Sequence, residues 1–187
     1  VRSIHAPIVD IEILPISPVV HPSLVVQGAS GIHDFSNFLI VRVTTAAGVS
    51  GIGEVNGTLY AVGEDGTTAA HVIRNVLAPK LIGEPIAPVE NLEAIVEGAL
   101  AGSLFTKAGV ATALWDAYSR TLDISMAQAL GGVRRREIPI KFSLSGDTDR
   151  IKHVYQSATN LGFRAFKLKV GKDPIEDGKR LAFTRAL

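Results

Sequence analysis

The chain has 187 residues with a net charge of +1, 47% hydrophobic and 20% charged, enough apolar material for a folded core of one large or two small domains. Its basic residues are scattered, and the one run, Arg134-Arg135-Arg136, follows a Gly-Gly turn and reads as a solvated corner, not a nucleic-acid surface. No cysteine is present, which removes disulfides, thiolate metal sites and cysteine nucleophiles together.

No apolar run is long enough to span a bilayer, and Asp10 and Glu12 break the N-terminal apolar stretch that a signal peptide would need. A cytoplasmic protein without membrane or nucleic-acid partners is the expectation. Ile8 to Leu14 alternates as a first strand, stopped by Pro15 and Pro18. Ile16 to about Ile32, rich in Pro, Ser, Gly and His, reads as a long loop, a length common in functional lids. Asn37 to Thr45 is a second strand, Ala46-Ala47-Gly48 a turn, and Val49 to Val55 the returning partner, so an antiparallel three-stranded meander opens the chain.

Gly51, Gly53 and Gly57 invite a dinucleotide-binding reading, but Asn56 stands where the third glycine belongs and no helix follows at once. Gly57 to Gly66 reads as a second glycine-rich loop. Helices then take over. One is capped by Asp65 or Thr67, carries Ala70, Ile73, Val76 and Leu77 inward, and is expected to stop at Pro79. Another runs from Pro88 to Gly98. A long one, Ser103 to Arg120, is apolar nearly all round and is expected to be buried between layers, with Asp116 as a paired structural acid. A short helix, Ser125 to Leu130, ends at Gly131-Gly132. Strands followed by helices mark an α+β domain.

The texture changes after Arg136. Ile138 to Leu144 reads as a strand with Pro139 near its start, Asp149 to Leu161 as a helix, and Gly162 to Gly171 as a second strand. Asp173-Pro174-Ile175-Glu176 then opens another helix with a cap, a proline in the first turn and an acid three residues on. In the second strand Phe166, Leu168 and Val170 share one face and Lys167 and Lys169 the other. A lysine face normally meets water. Strands of a β-α-β-α series are parallel, however, and parallel sheets are covered on both faces, which turns the lysines towards a site. Two parallel strands cannot cover both faces themselves, so the functional protein is expected to be longer than this chain.

Taken together, these features resemble the enolase superfamily, and within it the muconate-lactonising subgroup. Gly51-Ile52-Gly53-Glu54 closes the meander and Ala113-Leu114-Trp115-Asp116 lies in the long helix. Ala129-Leu130-Gly131-Gly132 precedes the second part, and Phe166-Lys167-Leu168-Lys169-Val170-Gly171 is the Lys-x-Lys strand. The resemblance implies a capping domain over residues 1–134, then residues 135–187 as the first two βα units of a modified (β/α)₈ barrel. It implies an isomerase or lyase, a homo-oligomer, that moves a proton alpha to the carboxylate of a small substrate through an enolate-like intermediate. Lys169 would be the acid/base group, with Lys167 beside it disfavouring a second charge and helping to hold the carboxylate. Tyr60 and Ser143 fall where the family contacts substrate, and 16–32 and 55–66 correspond to its two specificity loops.

The family's cation is Mg²⁺, whose carboxylate ligands fall on later barrel strands, beyond Leu187. No metal ligand is therefore expected in this chain, whose 187 residues alone should be inactive. Asp173, Glu176 and Asp177 open a helix, and His5, His21, His33, His71 and His153 lack ligand spacing. Muconate-type cycloisomerisation leads, with dipeptide or N-acylamino-acid epimerisation and o-succinylbenzoate synthesis as alternatives within the subgroup. A non-catalytic binding or assembly module that kept only the cap is the alternative from another class.

Overall fold

The structure, a computed structural model, describes all residues except 1–2, 23–24, 29–30, 34–36, 58 and 172, and leaves out the side chains of 26–28, 31–33, 60 and 61. The chain forms two compact units, Val1–Ser17 with Asn37–Arg134, and Pro18–Ser36 with Arg135–Leu187. The excursion 18–36 thus interrupts the first unit in sequence and belongs to the second in space.

The first unit is built on an antiparallel sheet in the order β1 (Ile8–Ile16), β4 (Phe38–Thr45), β5 (Ser50–Asn56). β1 runs two residues past its expected end, since Pro15 sits on an edge strand, opposite Leu39, where a missing N–H costs no ladder bond. Leu39, Val41 and Val43 alternate inward from the central strand and are buried. Against them pack α2 (Gly66–Val72), the turn Ile73–Leu77 after it, α3 (Ala78–Leu81), α4 (Val89–Ala99) and α5 (Leu104–Thr121), which is followed by the short α6 (Met126–Ala129); Ile73, Leu77, Leu81, Leu92, Val96, Val110 and Leu114 enter one core. Each such side chain, fully withdrawn from water, is worth about 1.5–3 kcal/mol.

The glycine pair in β5 has a packing role. Gly51 and Gly53 lie under α5, and a Cβ on Gly51 would stand 2.1 Å from the Ala117 nitrogen, one on Gly53 1.9 Å from the Gly109 carbonyl oxygen. Gly109, Ala113 and Ala117, four residues apart along α5, form the matching stripe of small residues. Helix and strand approach to a distance that only glycine on β5 permits.

Several expectations are corrected. The presumed loop 16–32 contains β2 (Val26–Gly28), which pairs antiparallel with β3 (Gly31–His33). The glycine-rich stretch after β5 holds a helical turn, α1 (Leu59–Val62). The helix expected to stop at Pro79 continues to Leu81. A π-helical turn over Ile73–Leu77 widens the coil, Ala78 N–H donating to the Ile73 carbonyl, and Pro79 then falls in the opening turn of α3, where an N–H is dispensable. α5 is not enclosed all round, because Leu104 and Phe105 at its start are exposed. Asp116 is the expected paired acid, accepting from the Ile52 N–H and from Arg120 Nε at 2.9 Å each.

In the second unit β6 is shorter than expected, Lys141–Leu144, with Ile138 and Ile140 exposed ahead of it. It pairs in parallel with β7 (Ala165–Leu168), the two joined by α7 (Thr148–Asn160), and α8 (Pro174–Arg185) follows. Leu144, Ile151 and Val154 form the small core, with Phe142, Tyr155, Phe166, Leu168 and Phe183 against it. Asp147 caps α7 and Asp173 caps α8, each accepting first-turn N–H groups.

Candidate active site

The parallel register sets the site's geometry. Phe142 pairs with Phe166 and Leu144 with Leu168, and these side chains pack on the helices. Side chains alternate across a strand, so Lys141, Ser143 and Lys167 stand on the opposite face, Ser143 directly beside Lys167. Lys169 follows at the next position of that face, its N–H donating to the Leu144 carbonyl at 2.9 Å and carrying the ladder one step past β7. Three of the four expected site residues, Ser143, Lys167 and Lys169, are therefore brought together. Tyr60 belongs to the other unit, in α1, and its side chain lies outside the described set.

Lys141 joins them unannounced by any motif. Its Nζ donates to Ser143 Oγ at 3.1 Å, which leaves the Ser143 hydroxyl proton free to donate elsewhere. The signal that could have found it is the register itself: once Ser143 is set beside Lys167, the alternation of β6 puts Lys141 on the same face. Lys141 and Lys167 are exposed and Lys169 is half-buried. No described carboxylate pairs with any of the three. Such a face attracts anions, and its donors match a carboxylate.

The two turns at the C-terminal end of this sheet are tied together from α8. Arg180 Nη1 donates to the Gly146 carbonyl at 3.0 Å and its other nitrogen pairs with Asp177, whose second oxygen accepts the Gly171 N–H at 2.6 Å. Asp177 thus braces the turn after β7, while Asp173 caps α8. Glu176 pairs with Lys179 at 2.7 Å. Fixed turns hold Lys169 and Ser143 in a defined relation, a requirement for chemistry on strand ends.

A divalent cation needs several carboxylate or carbonyl oxygens converging on one point. Among the described residues no group of three or more His, Asp, Glu or Cys could hold one, and the lysine face is cationic. The described residues of this chain do not fit Mg²⁺. Among them, too, no helix is long and apolar enough to cross a membrane.

The first unit has its own electrostatic centre. Glu64 is buried and accepts from the Thr106 hydroxyl at 2.6 Å, the Thr106 N–H at 2.9 Å and the Phe105 N–H at 3.1 Å. Burial pushes its carboxyl up, but the bonds from Thr106 and from the backbone of Phe105 and Leu104 outweigh it and hold the group below the ordinary glutamate value. Glu64 caps α5 from a distant segment, because Ser103 before the helix is left-handed (φ 52°) and makes no side-chain cap.

Known proteins share this architecture. Residues 11–131 match the profile of the mandelate racemase / muconate lactonizing enzyme N-terminal domain. The chain is 37% identical over 147 residues to the chloromuconate cycloisomerase CbnB of Cupriavidus necator, covering 75% of this chain and 39% of that protein. It is 31% identical over 138 residues to the L-Ala-D/L-Glu epimerase of Bacillus subtilis, covering 73% and 37%. The muconate lactonizing enzyme from Pseudomonas fluorescens, solved with muconolactone, superposes with a TM-score of 0.91 at 27% identity, over 98% of this chain and 50% of that one. The chain therefore spans about two fifths of the length of these curated relatives and half of the solved one. With the profile matched over well over half of its length, the chain belongs to the mandelate racemase / muconate lactonizing enzyme family.

Proposed function

We propose that Lys167 and Lys169 are the acid/base half of a site that moves a proton alpha to the carboxylate of a small substrate. The observation that carries this reading is the register of β6 and β7. It gathers Lys141, Ser143, Lys167 and Lys169 on one face with no described carboxylate to neutralise them, while the other face does the packing. Lys169 stands nearest the C-terminal end of the strands, the end where βα proteins place their chemistry. As a neutral amine it removes the proton, and as an ammonium it returns one. Ser143 donates its hydroxyl proton to the substrate carboxylate and Lys167 adds positive charge beside it. A carbon acid next to a carboxylate is too weak for an unaided amine. Mg²⁺, the cation of such chemistry, would be held by residues outside this chain.

Cycloisomerisation of a muconate-like dicarboxylate is the first reading, since identity is higher to the chloromuconate cycloisomerase than to the dipeptide epimerase. Product analysis separates the two, a lactone in one case and an inverted α-carbon in the other. The reading is tested by incubating the whole protein with Mg²⁺ and candidate carboxylates in D₂O. Deuterium should enter alpha to one carboxylate, and Lys169→Ala should slow that exchange by roughly 10²–10⁴-fold. A folded, Mg²⁺-loaded protein that exchanges no candidate, or a Lys169→Ala variant as fast as the parent, would sink it and favour a non-catalytic module.

A further inference from the structure

We infer that Arg150 is a positioning residue that pins the 18–36 excursion to the substrate end of the lysine sheet. The inference rests on the reading above for what that end does, but the tether itself is geometric. Arg150 lies in the first turn of α7, its N–H held by the Asp147 carboxylate at 2.8 Å. Its side chain lies against Gly146, in the turn that follows β6 at the same end of the sheet as Lys169, and reaches the excursion. There Nη2 donates to the Val25 carbonyl at 2.6 Å and the Pro22 carbonyl at 3.3 Å. Val25 immediately precedes β2, so the bond fixes the root of the β2–β3 hairpin.

Two features show that the surroundings are shaped to this side chain. Gly146 has φ +93°, and a Cβ there would stand 2.6 Å from Arg150 Cδ and 3.3 Å from its Cβ. The glycine therefore supplies both the left-handed turn and the space in which the arginine lies. Second, a cation in the first turn of a helix opposes the helix dipole, and Arg150 Nε is buried there without a partner. A position that costs electrostatic energy in two ways is offset by the bonds to two carbonyls of the excursion, which the planar guanidinium can reach together. The Gly146 carbonyl is in turn held by Arg180, so the excursion is bound to a braced turn.

Such a tether sets substrate affinity more than chemistry, because it places the hairpin without touching the reacting atoms. The test uses the whole protein with Arg150→Gln, Arg150→Lys and Gly146→Ala. Amide exchange at Val26–Gly28 and Gly31–His33 should rise about tenfold in Arg150→Gln and Gly146→Ala, while α7 and α8 stay within about twofold of the parent. Arg150→Lys, which keeps the charge and loses the planar Nη2 that bonds both carbonyls, should fall between. On a substrate identified by deuterium exchange, KM should rise roughly tenfold with kcat within about threefold. Unchanged hairpin exchange in Arg150→Gln overturns the tether. A fall in kcat at constant KM overturns the positioning role. If Lys169→Ala leaves exchange intact, the catalytic reading fails on its own and the amide measurement still decides the tether.

Discussion

The two units solve the problem of a buried sheet face in different ways. In the first, β4 and β5 are covered so closely by α5 that side chains on β5 are reduced to hydrogen at Gly51 and Gly53, and the core draws on every layer. In the second, one face of a two-stranded sheet is packed by α7 and α8, and the other carries lysines and a serine. Residues of the first unit are chosen for fit, and those on the lysine face for charge. Mutations on the packed faces of either unit should therefore act on stability, and mutations on the lysine face should leave it nearly unchanged.

The largest effect tests the closeness of fit. Gly53→Val puts a branched side chain where even a Cβ would overlap the Gly109 carbonyl at 1.9 Å, a backbone atom that cannot turn aside. We expect a loss of more than about 4 kcal/mol, in the range reserved for gross overpacking, read by chemical denaturation or as failure to accumulate folded protein. The counterpart in the second unit is Gly178, a helical glycine of α8 with open space around its Cβ position. There Gly178→Ala should stabilise by roughly 0.4–1 kcal/mol. Equal responses at the two glycines would remove the contrast between the units.

Much of this contrast was legible in the sequence, and its gaps have physical causes. The meander, the long helix, the βαβα series and the lysine alternation follow from periods of two and 3.6 residues, which are local properties. Locally the Gly51/Gly53 pair shows only an incomplete nucleotide fingerprint, because its partner stripe lies more than fifty residues away on α5. The β2–β3 pair carries no strand pattern in the sequence, its strands being three residues each and interspersed with glycine and histidine. Pro79 has the local look of a helix stop, because a π turn that accommodates a proline leaves no local pattern. On the lysine face the alternation displays Lys167 and Lys169, whereas Lys141 and Ser143 join them only through a register that spans α7.

A smaller effect concerns charge inside the first unit. Glu64→Ala strips the acceptor from the Phe105 and Thr106 N–H groups at the start of α5, and should cost about 3 kcal/mol. Glu64→Gln keeps one oxygen and loses the charge, for about 1–2 kcal/mol at neutral pH. The folded-state value of this carboxyl is depressed, so its contribution is complete above the ordinary glutamate range and disappears as pH falls through the lower folded value. Asp65 behaves alike, held low by the Thr68 N–H, with its side chain capping α2 in a box with Thr68. Parent and Glu64→Gln denaturation midpoints should therefore converge below the glutamate range. A gap that stays constant on acidification would show that shape, not charge, makes the cap.

The smallest expected effect separates the two faces of the lysine sheet. Leu168→Ala removes apolar contact with the small core and should cost roughly 2 kcal/mol, less than a fully buried leucine because Leu168 is half-buried. Lys167→Met, one residue away on the other face, removes an exposed ammonium with no described carboxylate partner and should change stability by less than about 0.5 kcal/mol. The direction should be a small gain, since removing one cation relieves the repulsion on those beside it. Denaturation of both variants in the whole protein makes the comparison. A loss above about 2 kcal/mol in Lys167→Met would mean that the lysine face is held by contacts its packing does not display, and would weaken the argument that its charges are kept for a substrate.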